Sequence, residues 1–385
     1  MRPVDGDAVT DAHFERYGRP PPPRANWLCL GHERTEAELW QLAHEQRLPH
    51  AWLITGPAGI GKATLAFRLA RFLLADGVTD AAAATGGLFA AAPPSPIAGS
   101  LVLDPDHPVY RRVASGGHAD LLTVERGMDE KRGRMRREVV VDDVRRIVPF
   151  LTSTPAESRW RVVVIDGADE MNANAANALL KILEEPPAFS VLLLVSDAPS
   201  ALPATVRSRC RRLRLSPLTD ATVIALLAHY RPELAEAEAH ALAGLAAGSI
   251  GRALALAETD GARLWAETRA LLLALPNTDS RALFAFAERV GKAGNEAQFW
   301  EVADICRRLI GEAIRCAATR STVADPHLQR LAASAPLDRW LEVWDKEQQL
   351  FARTDSAYLD RKQVLLAVFF ALKQAMQQTG DAAGG

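Results

Sequence analysis

The residues Gly56-Pro57-Ala58-Gly59-Ile60-Gly61-Lys62-Ala63-Thr64 constrain this chain more than any other stretch. They follow the pattern G-x-x-x-x-G-K as far as its last position, where Ser or Thr is required and Ala63 stands. The flanks suit the pattern. Ala51–Thr55 is short, apolar and β-prone, and Leu65, Leu69 and Leu73 recur at helical spacing with Ala66 and Ala70 between them. A strand, a glycine-rich turn and a helix in that order let backbone N–H groups turn inward and wrap a phosphate, aided by the positive end of the helix. Gly56, Gly59 and Gly61 give the backbone its freedom, and Lys62 supplies a point charge for the outer phosphates.

The same string carries a defect. The hydroxyl expected after the lysine normally holds Mg²⁺, and Ala63 has none. Thr64 projects about 100° further round the helix and does not replace it. ATP or ADP can still bind through Lys62 and the backbone, with magnesium held weakly if at all. A second motif, Val162-Val163-Val164-Ile165-Asp166-Gly167-Ala168-Asp169, reads as a buried parallel strand over Arg161–Ile165 that ends in an acid. Asp166 is placed to face a metal as a Walker-B Asp does. Hydrolysing enzymes usually set a Glu beside it to polarise water, and here the position holds Gly167. Asp169 and Glu170 are expected to open the next helix, where acids suit the positive end.

Composition narrows the classes. A length of 385 residues allows two or three domains. A net charge of −2 argues against a free-standing DNA-binding protein with a strongly basic face. Cys29, Cys210, Cys306 and Cys316 form no C-x-x-C pair, so neither zinc nor a disulfide framework is expected. Cys306 shares an apolar helical face with Phe299, Ala303 and Ile310 and reads as packing. With no signal peptide and no apolar run of about 18 residues, a cytoplasmic protein without membrane contact is the expectation.

Along the chain, residues 1–24 end in four prolines and read as a mobile arm. Residues 25–215 alternate strands (Ala51–Thr55, Asp120–Glu125, Arg161–Ile165, Ser190–Val195, Arg211–Leu215) with helical stretches, which implies an α/β domain with a parallel sheet. Residues 76–100, rich in Ala, Pro and Gly, read as a flexible insertion. The basic stretch 126–137 is either a nucleic-acid contact or a solvated loop before a strand at Glu138–Val141. The absence of aromatic residues favours the loop. From Ser216 the β signals stop. Thr219-Asp220 caps a helix reaching Tyr230, two short helices follow, and residues 216–261 read as a helical lid. Longer amphipathic helices fill 262–378, including the face Leu365, Val368, Phe369, Leu372 and Met376, with a frayed tail at 379–385.

Four further strings carry a resemblance: Asn177-Ala178-Leu179-Leu180-Lys181-Ile182-Leu183-Glu184-Glu185-Pro186-Pro187, Leu192 to Asp197, Leu202 to Cys210, and Gly248 to Leu254. Together they resemble the bacterial sliding-clamp loaders, a branch of the AAA+ ATPases, from about residue 25 to 257 by motif and to about 376 by helical content. The resemblance implies an AAA+ P-loop domain, a small lid and an all-α collar for assembly into a hetero-oligomeric ring. Motor subunits of the gamma/tau type keep a Ser or Thr after the P-loop lysine and an Asp-Glu pair in the second motif. Ala63 and Gly167 make this chain look instead like the delta-prime type of DNA polymerase III, a stator that completes the ring. Zinc modules occur in many such domains, and this chain has no cysteine between about 76 and 120.

By that resemblance, Arg209 of Ser208-Arg209-Cys210 is an arginine finger for ATP held by a neighbouring subunit, Ser196 is a first sensor and Arg252 a second. The nucleotide set is then Gly56, Gly59, Gly61, Lys62, Ala63, Thr64, Asp166, Ser196 and Arg252. The implied partners are gamma/tau and delta subunits, the sliding clamp and primed DNA. No intrinsic catalysis is implied, although the holoenzyme is a DNA-directed DNA polymerase. A working gamma/tau-type ATPase and a DNA-binding adaptor that keeps the fold are the alternatives.

Overall fold

Buried parallel strands need residues apolar on both faces, and the runs AWLIT, RVVVI and SVLLLV supply them. The computed structural model describes residues 20–84, 100–129, 134–136, 138–275, 277–319, 326–354 and 359–381. It divides into two compact units, Met1–Ala253 and Leu254–Gly385.

The first unit begins with α1 (Glu33–His44), β1 (Ala51–Thr55), α2 (Lys62–Ala84), α3 (Pro108–Ser115) and β2 (Leu121–Val124). A short antiparallel ribbon of β3 (Met128–Asp129) and β4 (Arg134–Met135) precedes α4 (Val141–Arg145), α5 (Ile147–Thr152) and β5 (Arg161–Asp166). Then come α6 (Ala173–Glu184), β6 (Ser190–Ser196), α7 (Ala204–Arg207) and β7 (Arg211–Arg214). The helices α8 (Asp220–Tyr230) and α9 (Glu236–Ala246) follow, and α10 (Ile250–Glu258) begins in this unit and ends in the second.

The sheet runs β2-β5-β6-β1-β7 and is parallel throughout. Alternate residues feed two cores. Trp52, Ile54, Val162, Val164, Leu193 and Val195 face α2 and α3, while Leu53, Val163, Ile165, Leu192 and Leu194 face α6. At one edge β7 buries only Leu213 and exposes Arg211, Arg212 and Arg214, a charge pattern that discourages strand addition. The register pairs Thr55 with Ser196 and Asp166 with Val195, so β1, β5 and β6 end level. Crevices at the carboxyl ends of such strands are where α/β sheets bind ligands.

Fully buried Arg71 on α2 fixes the entry segment. It donates to the carbonyls of Arg24 (2.9 Å) and Asn26 (2.8 Å) and lies over the Tyr110 ring, 4.6 Å from its centre. Burial lowers its pKa to about 10. Pro20–Arg24, the described end of the expected arm, is thereby tied to α2, and residues 1–19 lie outside the described residues.

Three local expectations are corrected. Glu138–Val141 is not a strand: only Val139 forms an isolated bridge, to Met171, and α4 starts at Val141 because the Asp143 carboxylate accepts from Val140 N at 3.2 Å. Asp169 and Glu170 do not open α6. They sit in a short 3₁₀ turn, and Asn172 caps α6 by accepting from Ala175 N at 3.0 Å. The backbone of α2 continues to Ala84, into the stretch read as an insertion, of which residues 85–99 lie outside the described residues. So do residues 130–133 and 137 of the basic stretch. Thr219 caps α8 as expected, accepting from Thr222 N at 3.2 Å.

The second unit is all-helical: α11 (Gly261–Leu273), α12 (Ser280–Gly291), α13 (Glu296–Thr319), α14 (Pro326–Ala333), α15 (Leu337–Thr354) and α16 (Arg361–Asp381). The long α13 packs against α11, α14 and α15, and α16 packs against α12 and α15. The core takes in Phe299, Ala303, Cys306 and Ile310 from α13, and Leu365, Val368, Phe369, Leu372 and Met376 from α16, the faces read from the sequence. The backbone of α16 runs to Asp381, past the point where fraying was expected, and residues 382–385 lie outside the described residues.

Candidate nucleotide site

The loop joining β1 to α2 has the shape its glycines allow. Gly56 (φ +151°) and Gly59 (φ +72°) leave no room for a side chain. A Cβ would stand 2.7 Å from the Leu215 carbonyl oxygen at the first and 2.5 Å from Ser249 Oγ at the second. Gly61 also has positive φ, and Leu65 N donates to its carbonyl to start α2. Buried His32 donates from Nε2 to Ile60 O at 2.8 Å and holds the loop from outside. From the other side Ser249 Oγ donates to Ala58 O (2.8 Å) and Gly251 N to Gly59 O (3.0 Å), so the start of α10 is laced to the loop.

Lys62 is 4% exposed, and its ammonium is committed. Nζ donates to Pro57 O at 2.5 Å and pairs with Asp197 Oδ1 at 2.5 Å, where Asp197 is 54% exposed. Asp197 is itself positioned. Its N–H and that of Ala198 donate to the two carboxylate oxygens of Asp169, at 3.1 and 3.2 Å. Ala63 is half-buried, and Thr64, one place on, is buried.

Beside the loop lies a hollow of about 240 Å³ lined by Glu125, Arg126, Asp166, Asp169, Glu170 and Asp197 with Gly167 and Val195. Burial raises the Asp166 pKa. Glu125, Asp197 and Glu170 raise it further, and only Lys62 opposes. Burial also raises Glu170, against the pull of Arg126, which pairs with it at 2.8 Å. Gly167 adopts φ +78°, so a glutamate there would strain the backbone, and its Cβ would displace the Glu170 carboxylate, 2.6 Å away.

Ser196 ends β6 almost fully buried, with no hydrogen-bond partner for its hydroxyl. Arg252 lies on α10 one residue from the Gly251–Gly59 contact, and its backbone N–H donates to Ser249 Oγ at 3.1 Å. Arg209 stands apart from this group. Its guanidinium donates to Glu184 Oε1 at 2.6 Å and to Thr205 O at 2.9 Å, and about a third of the side chain is exposed. Burial pushes the neighbouring Cys210 thiol up to about 11.

This arrangement fits a phosphate: it has a cradle that a Cβ would fill, a helix amino end and one ammonium. It lacks one usual magnesium ligand, since Ala63 brings no oxygen after the lysine. Among the described residues no group of three His, Cys, Asp or Glu is arranged to hold a metal.

Residues 104–219 match the family described as DNA polymerase III, delta subunit. The subunit delta′ of Pseudomonas aeruginosa is 38% identical over 173 residues, 45% of each chain. That of Bacillus subtilis is 30% identical over 183 residues, 47% of this chain and 46% of its own. The tau subunit of Escherichia coli is 29% identical over 262 residues, 65% of this chain and 35% of its own. The chain is similar to the DNA polymerase III delta′ and gamma/tau subunits. It spans a little under half the length of the delta′ proteins it matches.

The resemblance read from the motifs is therefore borne out by matches to both delta′ and tau subunits. Sequence reasoning missed the residues that tune the loop. Asp197 directly follows Ser196 at the end of β6, next to β1, and that adjacency was the available signal. Asp169 was read as a helix-starting acid and acts as the clamp on the Asp197 backbone. His32 is remote in sequence and carries no motif of its own, and Ser249 lies in the Gly248 to Leu254 string, which was read for Arg252 and not for this contact.

Proposed function

We propose that this chain is a delta-prime-type stator of a DNA polymerase III clamp loader, placing Arg209 against ATP bound by a neighbouring subunit. The contrast between the two sites carries the reading. The chain's own loop has Ala63 and Gly167 where a motor needs a hydroxyl and a glutamate, and its lysine is engaged by Asp197. Arg209, in the Ser208-Arg209-Cys210 string, is partly exposed, and among the described residues it is held by exposed Glu184 and a local carbonyl. A planar, permanently charged guanidinium suits the charge that develops on a transferring phosphoryl group. ATP or ADP is a ligand of the chain's own loop, with Ser196 and Arg252 facing it as sensors and without hydrolysis.

On this reading residues 216–261 are the lid and 262–378 the collar that joins gamma/tau and delta subunits in a cytoplasmic hetero-oligomer. The sliding clamp and primed DNA are met through the complex. No described helix is long and apolar enough to cross a membrane. The test is ATP turnover by the reconstituted loader with clamp and primed DNA, using the natural chain or Arg209→Ala, beside turnover by the chain alone. No turnover alone, and a fall of about 10²-fold or more in the assembled loader on losing Arg209, is the expected result. Turnover by the isolated chain, abolished by Lys62→Ala and indifferent to Arg209, would make it a gamma/tau-type motor instead.

A further inference from the structure

We propose that Asp197 makes this P-loop selective for a nucleoside diphosphate over a triphosphate. The inference rests on the reading of the loop as a nucleotide site and names which nucleotide it takes. An ammonium carries three N–H donors. On Lys62 one goes to Pro57 O and one to Asp197 Oδ1, both at 2.5 Å, so one remains. The terminal phosphate of a diphosphate, cradled by the loop N–H groups, needs only that one. A third phosphate reaches for the face of Lys62 that a carboxylate already holds, and it brings negative charge against negative charge. Asp197 is 54% exposed, so solvent screens part of that repulsion, while the buried Lys62 keeps the two anions in competition for one ammonium.

Asp197 does not yield freely. The bidentate grip of Asp169 on the N–H groups of Asp197 and Ala198 fixes the turn that carries it. The hollow into which a third phosphate would extend offers little in exchange. It presents Glu125, Asp166, Asp169 and Glu170, and Arg126, the cation among its described lining residues, is already paired with Glu170. Ala63 supplies no hydroxyl for the metal that would otherwise mask the extra charge. Asp169 is a positioning residue in this scheme, acting only through Asp197.

Calorimetric titration of the full chain with Mg-ADP and with Mg-ATP tests the proposal. The natural chain is expected to bind ADP at least about tenfold more tightly than ATP. Asp197→Asn, an exposed and nearly isosteric change, is expected to bring the two within about threefold by strengthening ATP. Asp197→Ser should do the same, and Asp169→Asn should narrow the gap part of the way. Lys62→Ala should abolish both. Equal strengthening of both nucleotides by Asp197→Asn, an unchanged ratio, or a natural chain that prefers ATP would overturn the selectivity while leaving the nucleotide site intact. ADP binding that survives Lys62→Ala would instead remove the P-loop reading. If neither nucleotide binds the natural chain or Asp197→Asn, both ideas fall together.

Discussion

Glu347 should make the helical unit less stable as the pH rises from about 4.5 to neutrality, and Glu347→Gln should remove that dependence. The side chain sits on α15 with only 1% of the residue exposed, facing the Cys306 side of α13. Its Oε2 accepts from Gln348 Nε2 at 2.9 Å, and its Oε1 has no hydrogen-bond partner. Burial pushes the carboxyl pKa from 4.5 up to about 7. Arg307 and the Gln348 amide pull it down, and Asp304 adds to the rise. The sign follows from proton binding. Below pH 4.5 the group is protonated folded and unfolded, and it carries no penalty. Between 4.5 and about 7 the unfolded chain ionises while the folded one keeps its proton, so stability falls with pH. At about 1.4 kcal/mol per pH unit, that window is worth on the order of 3 kcal/mol, and the loss is complete above pH 7. A neutral amide of the same shape escapes it. Urea unfolding of the full chain at pH 5, 6, 7 and 8, followed by tryptophan fluorescence, would show the natural protein losing stability relative to the variant over pH 5–7. Near pH 4.5 the two should match within about 1 kcal/mol, and at pH 8 the variant should be the more stable by about 2–3 kcal/mol. A difference that does not change with pH would refute the reasoning, because it would mean that the carboxylate is already ionised in the folded helix bundle.

Two further tests address the first unit. Gly59→Ala combines positive φ with a Cβ 2.5 Å from Ser249 Oγ and 3.1 Å from Gly251 Cα. It should destabilise by about 1–3 kcal/mol and speed amide exchange at Gly251, whose N–H donates to Gly59 O. Unchanged exchange would mean that the loop and α10 are not coupled. Arg71→Met leaves the Arg24 and Asn26 carbonyls without their buried donor. It should cost about 2–4 kcal/mol and expose residues 20–28 to limited proteolysis, and a cleavage pattern like that of the natural chain would count against Arg71 as their anchor.

How much was legible in the sequence depended on how local each signal was. The strands β1, β5 and β6 announced themselves because a strand buried on both faces must be apolar at nearly every position. The faces of α13 and α16 followed from helical spacing in the same way. Errors arose where a polar side chain had more than one possible use. Asp143 turned an expected strand into a helix start by capping Val140, and Asp169 left its own helix to clamp a turn 28 residues away. The loop glycines and Lys62 were visible as a motif. What occupies Lys62 was not, because the pairing with Asp197 joins residues 135 positions apart and depends on the parallel register of β1 with β6.

The energetics of the two cationic groups bear on the proposed division of labour. Lys62 is buried while its partner Asp197 is 54% exposed, so losing that carboxylate costs more than losing a surface pair but less than the ~3–5 kcal/mol of a fully buried one. It can change partners only when an anion enters the same pocket. Arg209 is held by a carboxylate that is half exposed, and a surface pair of that kind is worth about 1 kcal/mol or less. A phosphate presented from outside the chain can draw it away at almost no loss, whereas the chain's own lysine is already paired with Asp197, which lines an acidic hollow. If the chain were a motor, the opposite ordering would serve it better, with an uncommitted lysine inside and no reason to keep an arginine lightly tethered outside. The arrangement therefore favours a subunit that lends positive charge to a neighbour's nucleotide over one that turns over its own.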